Sequence, residues 1–171
     1  MCIRDRSWPA VAARDHELDL VNLGYAGSAR GEIPSAEELA ELEADVISIA
    51  HGTNCWTRTP HSADLFAAGL RAFLDIVRQG HPDTPIVAIS PITRPDAEAT
   101  ANRLGATLTD LRATFEAVVA ERLAGDPNLR LVEGFPIVTV DLLADGIHPG
   151  DEGHAAMAAA IGPVVAAAVA G

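Results

Sequence analysis

The chain has 171 residues, with 12 Arg and no Lys against 24 Asp plus Glu, a formal net charge of −12 and 49% hydrophobic residues. These figures describe one compact soluble domain and exclude the basic surface that nucleic acid or an anionic membrane selects. Cys2 and Cys55 give no paired spacing for a disulfide framework or a structural zinc. The apolar runs 155–160 and 164–170, interrupted by Gly162 and Pro163, fall short of the roughly 20 residues that span a bilayer.

Residues 1–6 show neither a signal-peptide apolar stretch nor a periodic pattern and read as a leader foreign to the domain, which is expected over residues 7–171. Ser7 predicts a helix cap with Pro9 in the first turn. A strand is predicted at 18–23, then a helix capped by Ser35 and running to about Glu43. Residues 46–50 are nearly all apolar, so they predict a central strand. Ser62 caps a long helix in which Leu65, Phe66, Leu70, Phe73, Leu74 and Val77 share a face, ending at Gly80. Further strands are predicted at 86–90 and 129–132. A helix beginning at about Ala97 or Leu104 and ending at Leu123 lies between them, and an Ala-rich helix at about 150–168 closes the chain. Short apolar runs alternating with helical segments predict βαβ units in a three-layer α/β/α, flavodoxin-like domain with a parallel sheet. Nothing marks the chain for secretion, and a soluble setting with the cytoplasm favoured is expected.

Parallel α/β sheets bind ligands where the loops leave the carboxyl ends of their strands. After the first predicted strand, Asn22-Leu23-Gly24-Tyr25-Ala26-Gly27-Ser28 can turn the backbone N–H groups toward an anion, or can serve as a simple turn. After the central strand, His51-Gly52-Thr53-Asn54-Cys55-Trp56 places an amide that can donate to an oxyanion or stabilise an Asx turn. Near the C-terminus, Asp145-Gly146-Ile147-His148-Pro149 sets a carboxylate three residues before an imidazole. The acid can hold one ring nitrogen and leave the other free as a general base. No third ligand set accompanies these groups, so no metal is expected.

Taken together, Gly27, Asn54 and Asp145-x-x-His148, each behind its own α/β segment, resemble the SGNH or GDSL-type hydrolases. The likeness covers almost the whole chain from Ser7, and Asp-Gly-Ile-His-Pro-Gly-Asp-Glu-Gly-His is close to the family's closing motif. The resemblance implies a serine esterase or acylhydrolase that works through an acyl-enzyme without a cofactor, on a small-molecule or carbohydrate ester. It makes His148 the base, Asp145 its partner, and Gly27 with Asn54 the oxyanion donors. The family more often follows that asparagine with Asp, where this chain has Cys55.

The family's Gly-Asp-Ser nucleophile motif is expected upstream of Trp8, behind an apolar strand, and residues 1–6 contain neither. The expectation is therefore a catalytically silent chain without the first central strand and without the nucleophile. Ser7 and Ser90 are better explained as a helix cap and a strand-end turn. Trp56 and Ser28 are candidate substrate-binding residues, while His51, His61 and Arg58 read as solvated rim residues. His154 is expected beside the site or on the surface, and Cys55 as a packing residue. The rival reading is a non-catalytic α/β module that holds a carbohydrate or acyl ligand in the same cleft.

Overall fold

A computed structural model describes residues 5–170. Residues 1–4 of the expected leader and Gly171 lie outside the described residues. Of the remainder of that leader, Asp5 offers its carbonyl to Arg14, and Arg6 pairs with Asp151 at 2.6 Å.

The order of elements is α1 (Trp8–Asp15), α2 (Ile33–Glu41), β1 (Ile47–Ala50), α3 (Ala63–Gly80), β2 (Ile86–Ile89), α4 (Pro95–Glu98), α5 (Leu108–Leu123), β3 (Leu129–Val132) and α6 (Asp151–Val169). One-turn 3-10 segments at Thr53–Trp56 and Val140–Leu142 follow β1 and precede α6. The strands form a parallel sheet in the order β1-β2-β3, with Ile47 opposite Ile86 and Ile86 opposite Leu129. Such pairings require crossovers, and α3 and α5 supply them.

The sheet separates two apolar layers. On one side Ile47, Ile49, Ile86, Ala88 and Leu129 pack against α3 and α5, through residues including Phe66, Leu70, Phe115 and Val118. On the other, Val87 and Ile89 meet Met157, Ile161 and Val165 of α6, with Trp8 of α1 at the margin. This is a three-layer α/β/α domain. Its helices start where chemistry dictates: Ser62 Oγ accepts from Leu65 N–H, and Thr107 with Asp110 forms a reciprocal capping box.

Four sequence expectations require correction. Residues 18–23 form no strand: Leu20 and Val21 are 40% and 69% exposed, and among the described residues no neighbouring strand supplies the ladder that an extended segment needs. The strand at 47–50 lies at the edge of the sheet, with alternating buried and exposed residues, whereas β2 is buried throughout and central. Helix α2 begins at Ile33 with Pro34 in its first turn, so Ser35 is interior. The segment from 97 to 123 divides into α4 and α5, leaving Leu104 in an exposed turn because the Thr107 capping box fixes the start of α5. Helix α6 has 19 residues and a window of mean hydropathy 1.4, long and apolar enough to cross a membrane by length and composition alone. Here it lays Met157, Ile161 and Val165 against the sheet.

Candidate active site

The loop before α6 is built around one carboxylate. Asp145 Oδ1 accepts the backbone N–H groups of Ile147 and His148 at 3.0 and 2.8 Å, and its Oδ2 lies 2.8 Å from His148 Nδ1. Gly146, at φ +78°, lets the chain reverse between the two. A bridge between Leu143 and Pro149, with Ala144 N–H donating to the His148 carbonyl, ties the loop to the foot of α6. The His148 backbone N–H first, then its ring and the Ile147 N–H, hold the Asp145 carboxyl far below the usual carboxylate range. An ionised Asp145 fixes the proton on Nδ1 and leaves the Nε2 lone pair free, the arrangement a general base requires. The His148 side chain is 75% exposed, and Asp145 is its side-chain partner among the described residues.

The second component is the pair of loops at residues 25–32 and 51–56. Asn54 Nδ2 donates to the Ala29 carbonyl at 3.3 Å, and Cys55 Sγ lies 3.5 Å from the Arg30 carbonyl. Arg30 reaches back to the carbonyls of Gly27 and Ser28 and pairs with Glu32 at 3.1 Å. The N–H of Ser28 is spent on Tyr25, whereas that of Gly27 has no partner among the described residues. Gly52 stands at φ +125°, and a Cβ there would come within 2.8 Å of Pro91. A side chain would be strained at this φ, so glycine suits the turn that leads into Asn54.

These loops border a cleft of about 220 Å³ at the carboxyl ends of β1 and β2. Ala29, Asn54 and Ser90 line it together with Pro149, which precedes α6, and His154 and Met157 of α6. Asp145, His148, Gly27 and Ser28 are not among the residues that line it: His148 precedes the lining residue Pro149 in the chain, and Gly27 and Ser28 are exposed on the turn before Ala29. Ser90 is committed elsewhere: its hydroxyl donates to Glu116 at 2.7 Å and accepts from Gly134 N–H. Trp56 donates its indole N–H to the Thr100 carbonyl at 2.7 Å and carries the Arg94 guanidinium over its ring at 4.9 Å. It does not border the cleft.

Burial pushes the Cys55 thiol up to about 12, which fits a packing role and removes its value as a nucleophile. His51 is a correction to the solvated rim. Its ring lies among Phe66, Phe73 and Phe115 at centroid separations of 5.5–5.8 Å, and both ring nitrogens are buried without a partner. Desolvation lowers its pKa to about 4. Among the described residues no group of three His, Cys, Asp or Glu side chains is placed to hold a metal ion.

Sequence reasoning missed the brace beneath the second wall of the cleft. Arg112 is buried, donates to the Pro91 and Ile92 carbonyls at 2.7 and 3.2 Å, and forms a two-pronged pair with Glu98. Glu98 also accepts from Arg94 N–H at 2.9 Å. The only advance signal was an Arg on the apolar face of α5.

The sequence profile of the GDSL-like lipase/acylhydrolase family matches residues 3–156. The chain belongs to this family. Among solved structures, this GDSL-family chain is similar to the salicylyl-acyltransferase SsfX3 of a tetracycline biosynthetic pathway, at 29% identity and TM-score 0.80 over 91% of this chain and 47% of that one. A protein described as a GDSL-like lipase from Bacteroides ovatus matches at 25% identity and TM-score 0.79, over 97% and 48%. The chain thus spans about half the length of these two relatives. A family 3 carbohydrate esterase from Talaromyces cellulolyticus shares the fold at 18% identity and TM-score 0.76, over 96% and 91%. No curated protein sequence matches.

Proposed function

We propose that this GDSL-family chain carries the base and oxyanion components of a serine acylhydrolase that cleaves short acyl esters of small molecules or carbohydrates. The Asp145–His148 pair carries the reading: one carboxylate bound to both the backbone N–H and the ring of His148 orients an imidazole whose outer nitrogen is free. In the first step His148 Nε2 takes the proton of an attacking hydroxyl as its oxygen bonds to the acyl carbon. Charge then develops on the former carbonyl oxygen, where the Gly27 N–H and the second N–H of Asn54 are assigned as donors. Collapse expels the alcohol, which receives the proton from His148. Water, activated by the same nitrogen, then frees the acid. A cleft of about 220 Å³, below the usual size of drug-like sites, favours a short acyl group. The acyltransferase likeness supports acyl transfer as the chemistry, with water or an alcohol as acceptor.

The proposal takes the nucleophile to be the serine of the family's Gly-Asp-Ser motif, placed ahead of Ser7. The test is hydrolysis of p-nitrophenyl acetate. The chain as it stands should be no faster than its His148→Ala form. Fusing an apolar strand ending in Gly-Asp-Ser ahead of Ser7 should create turnover that depends on the added serine. Serine-dependent turnover by the original chain would overturn the assignment.

One observation favours the rival reading of a non-catalytic acyl- or carbohydrate-binding module, namely that His148 is exposed and, among the described residues, paired through its side chain with Asp145 only. Saturable binding of an acetylated sugar, with no serine-dependent turnover in the fused protein, would favour that alternative.

A further inference from the structure

We infer that His154 is a ligand-binding donor: a neutral imidazole whose Nε2–H holds an oxygen of the molecule bound in the cleft that Asn54 also lines. The inference rests on the acylhydrolase reading for what occupies the cleft, and on His154 alone for how it is held.

His154 lies in the first turn of α6, and its ring borders the cleft alongside Pro149 and Met157. Its Nδ1 is 3.3 Å from the backbone N of Trp8. Trp8 is the first residue of α1, where backbone N–H groups have no partner within the helix, so the ring satisfies a donor that would otherwise be unpaired. A backbone N–H can only donate, so Nδ1 must be the acceptor. In the neutral ring the single proton therefore sits on Nε2.

The same contact disfavours the imidazolium, which would set a second donor against Trp8 N–H. Burial works in the same direction and lowers the pKa. The nearby Asp151 opposes it, and His148 adds to it. The result is an uncharged donor with a fixed tautomer, and its Nε2–H has no partner among the described residues. Asn54 lines the same cleft, with one of its two N–H bonds used on Ala29. Two neutral donors lining one small cleft suit a ligand with two acceptor oxygens, as an ester or its carboxylate product has. His148 is the complementary case: its Nδ1 meets a carboxylate, so its Nε2 is an acceptor. Two histidines six residues apart thus present opposite faces, one taking a proton and the other offering a hydrogen bond.

The test is NMR of the intact chain with 15N-labelled histidine and asparagine, using sodium acetate as the probe. His154 should show the Nε2–H tautomer at pH 8, where the ring is neutral, and acetate should shift its Nε2 resonance. His154→Phe should weaken acetate binding roughly five- to tenfold. His154→Gln, which keeps a side-chain N–H, should recover most of the loss, an effect that simple packing would not produce. An Nδ1–H tautomer, or a His154 resonance that ignores acetate, overturns the proposal, and these two readings on the unsubstituted protein decide even if the Phe variant does not fold. Acetate shifts at Asn54 without any at His154 overturn this inference and leave the acylhydrolase reading intact. Shifts at His154 without any at Asn54 support it and remove Asn54 from the oxyanion role.

Discussion

The side chain of Asn54 donates to the main-chain carbonyl of Ala29 at 3.3 Å, joining the loop after β1 to the glycine turn 25 residues earlier in the chain. An amide nitrogen has two hydrogens, so one can fasten the loops while the other faces a ligand. With the nucleophile supplied as above, Asn54→Ala should lower kcat by about 10²–10³ with a smaller change in KM. A kcat/KM within about threefold of the parent would remove Asn54 from the oxyanion role.

Gly52 should tolerate no side chain. At φ +125° with Pro91 2.8 Å from the position of a Cβ, Gly52→Ala combines backbone strain with a collision and should cost about 2–4 kcal/mol. Because the displaced segment carries Asn54, acetate binding should fall as well. Urea denaturation gives the first quantity and NMR titration the second.

His51 makes stability depend on pH in a defined direction. Its folded pKa is lowered from 6.5 to about 4, so between those values the unfolded chain binds more protons than the folded one. The contribution is complete above pH 6.5 and is lost as pH falls toward 4, by at most about 3 kcal/mol. His51→Leu removes two buried nitrogens that lack partners and should raise stability at pH 5 by about 1–3 kcal/mol. It should also flatten the unfolding free energy between pH 4 and 6.5. An unchanged slope would show that His51 is not the group responsible.

Much of this architecture was legible in advance for simple reasons. Ile86–Ile89 is apolar on both faces because both faces are covered, and the Ser62 cap with the apolar stripe of α3 announces a helix. The segment 18–23 has the composition of a strand, but pairing is a property of neighbours, and among the described residues no strand lies beside it. Within the site, Asp145 and His148 could be paired from sequence because they are three residues apart. Local spacing cannot reveal that His51 is enclosed by phenylalanines from α3 and α5, nor that Trp8 and His154 meet 146 positions apart. Trp56 invited a stacking role by its type, yet its indole N–H and one ring face are occupied by Thr100 and Arg94.

The Arg112–Glu98 brace should behave as a buried pair. Burial alone would raise the Glu98 pKa, but hydrogen bonds from Arg112 and the Arg94 N–H outweigh it and lower the value below 4.5. The stabilisation is therefore present above about pH 4.5 and disappears as pH falls through the folded value. Glu98→Gln leaves Arg112 without its counter-charge and should cost roughly 2–4 kcal/mol at pH 7, with a smaller penalty at pH 3.5. Equal penalties at both pH values would contradict the ion pair.

The role of the imidazole beside Pro149 is tested most directly by measuring kcat for p-nitrophenyl acetate in the serine-supplied protein, with and without His148→Ala and Asp145→Asn. The account predicts a fall of about 10⁴-fold or more when the imidazole is removed. Asp145→Asn should give a comparable loss, because the neutral amide no longer fixes the proton on Nδ1. Undiminished turnover in the His148→Ala protein would contradict it.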